Sequence, residues 1–537
     1  MLANGLMTDE NFAMALGSQQ TQPRFENPRE ILGDRLKEGS LYRLLADHGH
    51  TMFPDDYFAD LYSGSAKGRP TIAARVMATV MLLQSFEGLS DREATERLEV
   101  DLRWQAAAGL DVGAESFHPT ALVGQRNRLR ASARPRRLFE DTKVVAKKTG
   151  AMKGRARVLD STPIYDAVAT EDTVTQLRAA IRKVLGALDK EGSSLAPGVR
   201  AALVRDDDYA TPGKPPCDWD DREAREALVD ALVKDALAAL LVLDGAEVPA
   251  GALAAVELLA LVAGQDVEKG DDGVFRVVRG VAKDRVISTT DTEARHGHKS
   301  RNRHFDGYKA HISLDPDSEL IDEVVATPAN VADRDAAEKL LAPHAGEDDK
   351  PEVLGDSAYA DGATRDALKE KGFNLRAKCP PVRNATGLFT KDRFVVDLEA
   401  ATVTCPAGQR VAINPTRDGA GRASFKVHCK DCPLRAVCTK SRAGRTISVH
   451  PHEALLQRAR AEQSDPGWQE RYRADRPGVE RKIAHFVRRA WGGRRARTRG
   501  KERIGTDLDT RAGALNWSRL AALGLHRGSS GWAMTTT

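Results

Sequence analysis

Two short apolar runs that each end in an aspartate constrain the fold of this chain most strongly. Asp160 follows the strand-like run RVL, and Asp356 follows VLG. An aspartate at the end of a strand lies at the rim of a sheet, where a substrate can reach it. Taken alone, either residue could simply end its strand, as aspartate often does, and Asp361 is a rival to Asp356. A third carboxylate, Glu480, lies in the basic helical run RPGVERKIAHFVRR.

These three carboxylates are suited to divalent metal ions. Magnesium prefers oxygen ligands, and two ions about 3.5–4 Å apart can assist both the attacking and the leaving oxygen in a displacement at phosphorus. Without metal, the three side chains would repel one another. The sequence therefore indicates a metal-dependent phosphodiester enzyme. Glu480 also has a purely structural interpretation, because in the first turn after Pro477 a carboxylate interacts favourably with the helix dipole.

Length and hydropathy narrow the class of protein. At 537 residues the chain is expected to contain three or four domains. Its first twenty residues lack the basic start and apolar stretch of a signal peptide. The most apolar stretch, residues 236–264, is interrupted by three acidic residues and a proline, so it does not supply a membrane span. We expect a globular cytoplasmic protein without a membrane partner.

Charge is distributed unevenly along the chain. Residues 126–157 contain 12 basic and 2 acidic residues, and residues 471–503 contain 13 and 3. The total of +4 therefore leaves −16 on the remainder. The basic blocks flank Asp160 and Glu480, where charge that neutralises phosphate is needed if the substrate is DNA. Two solvated helical faces are the alternative.

The amino-terminal part has helical periodicity. Apolar side chains in residues 72–83 follow a helical spacing, and Gly88 is placed to end that helix. Ser90 and Glu93 form a capping box for the next helix. A third helix, residues 119–130, carries a group of arginines. Three short helices ending in a basic one fit either a helix-turn-helix DNA reader or an ordinary helical bundle.

The middle of the chain changes from helices to strands. Helical patterns cover residues 177–188 and 222–264, separated by the run DDDYATPGKPPCDWDD. Three predicted strands follow, namely VFRVVRG, YKAHISLD and ELIDEVVAT, and then a helix from Asp333 to Leu341 leads to the strand EVLGD. This order predicts a mixed sheet with a crossover and a helical insertion after its first strand.

Four of the six cysteines lie close together in sequence, two of them as a C-x2-C pair. Tetrahedral zinc accepts four thiolates, so the cluster predicts a structural zinc ion. Disulfide bonds are disfavoured because nothing in the chain points to export, and unpaired thiols are the other alternative. The predicted ligands are Cys405, Cys429, Cys432 and Cys438.

In order, the motifs LDST, GHKS with GYKAHISLD, VLGDSAY, a four-cysteine insert and RxxxE on a basic helix resemble bacterial insertion-sequence transposases of the DDE type. Residues 70–110 also resemble the amino-terminal domain common to such transposases. The resemblance implies an α/β fold with an RNase H-like mixed sheet flanked by helices. The implied segments are a tail (1–40), a helical DNA-binding domain (41–150), the first core strand (151–171), a helical insertion (172–270), the remaining core sheet (271–395), a cysteine-rich zinc insertion (396–450), the glutamate helix with C-terminal helices (451–525) and a tail (526–537).

The resemblance also implies an activity. Asp160, Asp356 and Glu480 would bind two Mg²⁺ or Mn²⁺ ions, and the enzyme would cut at the ends of its element and join the exposed 3′ hydroxyl to target DNA. The implied partners are double-stranded DNA with terminal inverted repeats, target DNA and a second copy of the chain. Bound to DNA, the protein would be associated with the nucleoid. The residues expected to contact DNA are Arg126, Arg128, Arg130, Lys299, Lys309, Arg476, Arg488 and Arg489.

The chain departs from the family pattern around its glutamate. Related transposases have tyrosine, two residues, arginine, three residues, glutamate, six residues and lysine; here Arg476 and Glu480 fit, Tyr472 is one position too far away, and Val487 takes the last position. Arg476 can grip a DNA phosphate bidentately. Two alternative functions remain: a non-catalytic DNA-binding protein derived from a transposase, and a general nuclease with the same core.

Overall fold

The computed structural model of the protein describes residues 27–62, 70–300, 302–380, 387–488 and 493–535. Over these residues the chain is a mixed α/β structure, with a helical amino-terminal part, a curled mixed sheet and smaller sheets around the cysteines. The predicted α/β class is therefore confirmed. Within the same ranges, no helix is both long and apolar enough to cross a membrane.

The amino-terminal part is helical, as its periodicity predicts. Gly88 ends the third helix in the left-handed conformation, with φ of 75°, and the capping box of Ser90 and Glu93 begins the fourth. The sequence itself predicts both the glycine that ends one helix and the capping box that begins the next. The helices are α1 (Pro28–Leu32), α2 (Leu41–Met52), α3 (Ala74–Glu87), α4 (Asp91–Val100), α5 (Leu102–Ala108), α6 (Thr120–Ala131) and α7 (Arg137–Lys148).

A long strand and a helical cluster follow. The strand β1 (Ala156–Tyr165) contains Asp160. The next elements are α8 (Thr173–Lys190), α9 (Leu195–Ala202), α10 (Arg222–Leu243), α11 (Ala250–Gln265), β2 (Val267–Lys269) and β3 (Phe275–Val277). The helices α8–α11 enclose an apolar core of their own.

The predicted strand VFRVVRG does not join the main sheet. Its central residues form β3, which pairs only with β2 in a hairpin. The backbone amide of Phe275 donates to Asp230 on α10 (2.9 Å), and Arg276 donates to Glu226 on the same helix (3.0 Å). These contacts tie the hairpin to the helical cluster, so the expected core strand is corrected to a peripheral one.

The chain then returns to the main sheet. The elements are β4 (Arg295–Ser300), β5 (Arg303–Leu314), β6 (Ile321–Pro328), α12 (Asp333–Leu341), β7 (Glu352–Gly355), α13 (Gly362–Glu370) and β8 (Leu375–Ala377). The strand order is β4-β5-β1-β7-β8, with β6 also paired to β5. β1 is antiparallel to β5 and parallel to β7, so the sheet is mixed.

The cysteine-rich segment forms two small three-stranded sheets, and long helices close the chain. The sheet elements are β9 (Val395–Asp397), β10 (Thr402–Thr404), β11 (Arg410–Ala412), β12 (Asn414–Pro415), β13 (Gly421–Ser424), α14 (Arg435–Cys438) and β14 (Thr446–Val449). They are followed by α15 (Glu453–Gln463), α16 (Pro466–Phe486), α17 (Lys501–Ala522), β15 (Leu525–Gly528) and β16 (Gly531–Met534).

Parts of the two predicted tails are folded. Residues 1–26 lie outside the described ranges, but α1 belongs to the predicted tail 1–40, is capped by Asn27 and packs against α5. At the other end, the hairpin β15–β16 falls largely in the predicted tail 526–537, and Trp532 packs on Trp517 of α17. The Asn27 cap and the contact with α5 stabilise the first segment, and the tryptophan contact stabilises the second.

The helix α17 joins the two halves of the molecule. It packs against α3 and α7 of the amino-terminal helices and against β6 of the main sheet. Trp517 and Leu520 belong to the amino-terminal core, whereas Leu508 and Ala512 belong to the core of the sheet. A single helix therefore supplies apolar side chains to both cores.

Candidate active site

The two strand aspartates lie side by side on neighbouring parallel strands. In the register of β1 and β7, Val158 pairs with Leu354. Asp160 and Asp356 each lie two residues further along. Because side chains alternate between the faces of a sheet, both carboxylates belong to the same face, at the edge where β7 ends. Asp356 directly follows β7, whereas Asp160 lies in the middle of β1, so the expectation that Asp160 ends its strand is wrong.

The helix α16 brings the third carboxylate to this edge. Tyr472, Arg476 and Glu480 recur at intervals of four residues and share one face of the helix. The Tyr472 hydroxyl donates to the carbonyl of Gly355 (3.0 Å), and Arg476 donates to the carbonyl of Leu159 (3.0 Å). These two bonds fix the helix across the end of β7 and the middle of β1.

The helix-dipole interpretation of Glu480 is wrong. The helix begins at Pro466, where the side chain of Asp465 accepts a hydrogen bond from the Trp468 amide (2.6 Å). Pro477 lies inside the helix, so Glu480 is several turns from the amino-terminal end. The influence of the dipole is confined to the first turn, and another reason is needed for a carboxylate here.

All three predicted catalytic carboxylates line one cavity of about 540 Å³. They come from β1, from the end of β7 and from α16. The same cavity is lined by basic side chains, of which Lys299 is exposed. An exposed cation beside the carboxylates suits a substrate whose own charge is carried by phosphates. The basic or ionisable lining residues are His298, Lys299, Lys309 and Arg476.

The charge on Asp160 is only partly balanced by its neighbours. Its side chain is 17 % exposed, accepts from Arg476 (2.9 Å) and accepts from the Ser161 amide (2.7 Å). Burial nevertheless raises the pKa of Asp160; Arg476 and the Ser161 amide oppose this shift, and the charge of Asp356 adds to it. A further positive charge in the cavity would therefore stabilise the ionised aspartates.

A fourth carboxylate in the cavity was missed by the sequence analysis. Asp333, the first residue of α12, lines the same cavity. Its carboxylate accepts from the Ser161 hydroxyl (2.9 Å) and from the Lys309 ammonium (2.9 Å). Ser161 follows Asp160 directly, so these bonds fix the segment that presents Asp160. In the sequence, an acidic residue at the start of a predicted helix signals only the helix terminus.

The carboxylates fit a divalent metal in donor type, but they do not form a finished site. Oxygen ligands are those that Mg²⁺ and Mn²⁺ prefer. Within the described ranges, however, no group of three or more histidine, cysteine, aspartate or glutamate side chains is placed to hold a metal ion. Asp160 is held by Arg476 and Ser161, and Asp356 accepts from the Ala358 amide (2.8 Å). These contacts already occupy both oxygens of Asp160 and one oxygen of Asp356.

The residues expected to contact DNA occupy three different settings. Lys299, Lys309 and Arg476 surround the active-site cavity, and Lys309 and Arg476 are already engaged there by Asp333 and Asp160. Arg488 lines a separate cavity between α16 and α17. Arg489 lies outside the described residues.

The three arginines of α6 divide between two surfaces. Arg126 and Arg130 line a second large cavity, where Arg126 pairs with Asp91. Arg128 stacks on the ring of Tyr62, with its guanidinium carbon 5.2 Å from the ring centre. The predicted basic helix is therefore real, but its arginines do not all lie on one face.

The four predicted zinc ligands are close together without forming a metal site. All four line one cavity of about 20 Å³. Burial raises the pKa of Cys438; Arg445 opposes this shift, and the other three cysteines add to it. The cysteines are unpaired, and among the described residues no cysteine group is arranged to hold a metal. The structure therefore gives no support to the expected zinc ion at Cys405, Cys429, Cys432 and Cys438.

Two family models match this chain. One, described as Transposase domain (DUF772), matches residues 30–128, which contain most of α1–α6. The other, described as Transposase DDE domain, matches residues 404–521, which contain α16 and Glu480. Comparison with curated proteins gave no match, and comparison with solved structures gave none. Both descriptions name transposase domains, and the two matches together support an insertion-sequence transposase of the DDE type.

Proposed function

We propose that this protein cuts phosphodiester bonds at the ends of an insertion sequence and joins the exposed 3′ hydroxyls to target DNA. The observation that carries the proposal is the shared cavity of Asp160, Asp356 and Glu480, which lie on three separate elements. The exposed Lys299 in its lining supports a phosphodiester substrate. We assign the sheet and α16 to an RNase H-like catalytic core.

Transposase DDE domains use divalent metal ions, and this cavity offers oxygen donors for them. We assign Asp160, Asp356 and Glu480 as the residues that would hold two Mg²⁺ or Mn²⁺ ions. When bound, such ions activate the attacking oxygen and stabilise the leaving one. The raised pKa of Asp160 supports this assignment, because burial and a neighbouring carboxylate penalise its charge until a cation is present.

Other side chains prepare the cavity for this chemistry. Arg476 holds Asp160 in place from α16, and Asp333 holds the adjacent Ser161. We assign both to positioning of the catalytic aspartate. Lys299 lies at the rim, where its ammonium can pair with a DNA phosphate on either side of the scissile bond.

The remaining parts of the proposal concern DNA and assembly. The amino-terminal helices and the two basic blocks would bind terminal inverted repeats, with Arg126, Arg128 and Arg130 on α6 among the contacts. A dimer on DNA would bring two ends of the element together. The uneven distribution of charge supports these roles, since the basic blocks flank the residues of the cavity.

The test is cleavage of a duplex that carries the element's terminal repeat, in the presence of Mg²⁺. We expect the protein to nick this duplex, Asp356→Asn to abolish nicking, and the variant to retain salt-sensitive binding. The matched control is Asp361→Asn, which removes a nearby carboxylate that caps α13 outside the cavity lining. It should cut normally.

Three results would contradict the proposal. Cutting by Asp356→Asn would remove the assigned residue from the reaction. Equal cutting of unrelated duplexes would indicate a general nuclease. Binding of the terminal repeat with no cutting by the native protein, with Mg²⁺ or Mn²⁺, would indicate a non-catalytic DNA-binding protein.

A further inference from the structure

A second cavity, remote from the carboxylates, contains a concentration of arginines. It has a volume of about 520 Å³ and lies between α4 and α6 on one side and the first turns of α17 with the segment before it on the other. This volume is typical of ligand sites, which span about 300–1,000 Å³. We call it the arginine cavity, after its lining residues Arg92, Arg126, Arg130, Arg497 and Arg503.

The acidic residues of the arginine cavity are already engaged. Its two aspartates are Asp91 and Asp507. Asp91 pairs with Arg126, and Arg497 lies 3.8 Å away on its other side. Asp507 pairs with Arg511 at 2.6 Å, outside the lining. These carboxylates therefore have little capacity left to balance further positive charge.

Three arginines of the arginine cavity are not balanced in this way. Within the described part of the chain, no ion pair joins Arg92, Arg130 or Arg503 to a carboxylate at contact distance. Burial lowers the pKa of Arg130; the nearby charges of Arg503 and Arg126 lower it further, and Glu502 opposes this shift. Like charges held together in this way are stabilised by an anion between them.

We infer that the arginine cavity binds a phosphate group of the DNA backbone. The inference rests on the proposed function, which supplies the polyanion. Guanidinium groups present paired donors that match phosphate oxygens, so several of them converging on one space form a specific phosphate site. Free inorganic phosphate has the same chemistry and is the alternative ligand.

The walls of the arginine cavity give the bound phosphate a further role. Arg92 and Arg130 belong to the amino-terminal helices, whereas Arg503 belongs to α17, which also packs on β6 of the main sheet. One phosphate contacted from both sides would fix the amino-terminal helices and the catalytic sheet on the same duplex.

The test measures the salt dependence of duplex binding by the full-length protein. Fluorescence anisotropy with a short duplex of unrelated sequence is recorded from about 50 to about 200 mM salt without divalent metal. Each phosphate contact contributes about 0.9 to the slope of log affinity against log salt, and roughly eightfold in affinity at about 0.1 M salt. Arg503→Gln should therefore lower the slope by about 0.9 and the affinity by roughly eightfold.

Two control variants separate charge at this site from charge in general. Arg503→Lys keeps the charge and should keep the slope while losing some affinity. Arg279→Gln removes an exposed arginine that follows β3, outside the arginine cavity, and should leave both quantities unchanged. Arg503 is itself exposed, in the first turn of α17, so its replacement does not disturb a core. Arg130→Gln repeats the measurement of slope and affinity at an arginine on the opposite wall of the arginine cavity.

A second measurement distinguishes the two sources of phosphate. The unfolding temperature is compared in inorganic phosphate and in chloride at equal ionic strength. An unchanged slope for Arg503→Gln and Arg130→Gln, together with a phosphate stabilisation that both variants lose, would overturn the DNA assignment in favour of free phosphate. Unchanged behaviour in both measurements would overturn the site altogether. Failure of the native protein to bind any duplex would instead overturn the proposed function.

Discussion

Truncation of Arg476 to alanine tests whether this side chain positions Asp160. The Arg476 side chain is 11 % exposed, and it donates to the Leu159 carbonyl (3.0 Å) and to the Asp160 carboxylate (2.9 Å). Arg476→Ala removes both bonds and leaves Asp160 partly buried beside Asp356. Removing one partner of a buried ion pair costs about 3–5 kcal/mol, since the remaining charge is left without compensation.

A double-mutant cycle isolates the ion pair within this loss. In an Asp160→Asn background the truncation still removes the bond to Leu159, but it no longer leaves a buried charge without its partner. A hydrogen bond from a charged donor is worth about 1.5–3 kcal/mol, so the truncation should cost about that amount. The coupling free energy between Arg476 and Asp160 should then be about 2 kcal/mol.

The assay is hydrogen exchange by mass spectrometry, without metal, of peptides that cover β1. Local opening is preferable to global unfolding here, because a chain of this size does not unfold in one step. Arg476→Ala should accelerate exchange of β1 by at least about 100-fold, corresponding to about 3 kcal/mol. Equal acceleration in the native and Asp160→Asn backgrounds would refute the positioning role of Arg476.

Three further predictions concern the sheet and α16. Burial lowers the pKa of His311 to about 4 from an ordinary 6.5, so the native state favours the neutral ring. The free energy of local unfolding around β5 should be at its full value above pH 6.5 and should fall by about 3 kcal/mol as the pH drops to 4. Hydrogen exchange of peptides that cover β5 should show this fall for the native protein but not for His311→Gln, and a parallel fall in both would contradict the reasoning. Burial lowers the pKa of Lys482 to about 8 from 10.5, so Lys482→Met should raise the free energy of local opening of α16 at pH 7 by up to about 3 kcal/mol, with a smaller gain at pH 10. Hydrogen exchange of α16 that shows no gain at pH 7 would contradict this prediction. Gly307 has φ of 125°, and an added Cβ would lie 2.5 and 2.6 Å from backbone atoms of residues 164–166. Gly307→Ala should therefore lower the free energy of local opening around residue 307 by at least about 3 kcal/mol, measured by hydrogen exchange. Gly280→Ala should lose only about 1–2 kcal/mol around residue 280, because Gly280 has a similar φ of 118° and open space around it; equal losses would exclude the close approach as the cause.

The parts of the fold that could be predicted are those encoded by local signals. The helix from Asp333 to Leu341 has the predicted bounds, and Gly88 ends its helix as expected. The strands β1 and β7 could be predicted because each contains a short apolar run directly before an aspartate. By contrast, β4 has the sequence RHGHKS, which lacks apolar alternation, and β8 is only three residues long. Both strands form because neighbouring strands offer backbone partners, which no local pattern shows.

The candidate site likewise combines residues that the sequence predicts with residues that it does not. Asp160, Asp356 and Glu480 were proposed from their motifs, and the structure brings them to one cavity. The sequence predicts that the helix carrying Glu480 begins near Pro477, but it begins at Pro466. Both prolines are plausible first-turn residues, and only the cap at Asp465 distinguishes them. Asp333 could not be found from the sequence, since its link to the site is a hydrogen bond to a strand residue distant in the chain.

The placement of α17 has a consequence for synthesis of the protein. Ribosomes release the amino-terminal helices long before residues 501–522, yet Trp517 and Leu520 form part of the core beneath those helices. Until residues 501–522 have been synthesised, that core lacks one of its walls and exposes apolar surface. Prematurely terminated chains are therefore expected to be cleared by proteases before they can occupy the sites that finished molecules need.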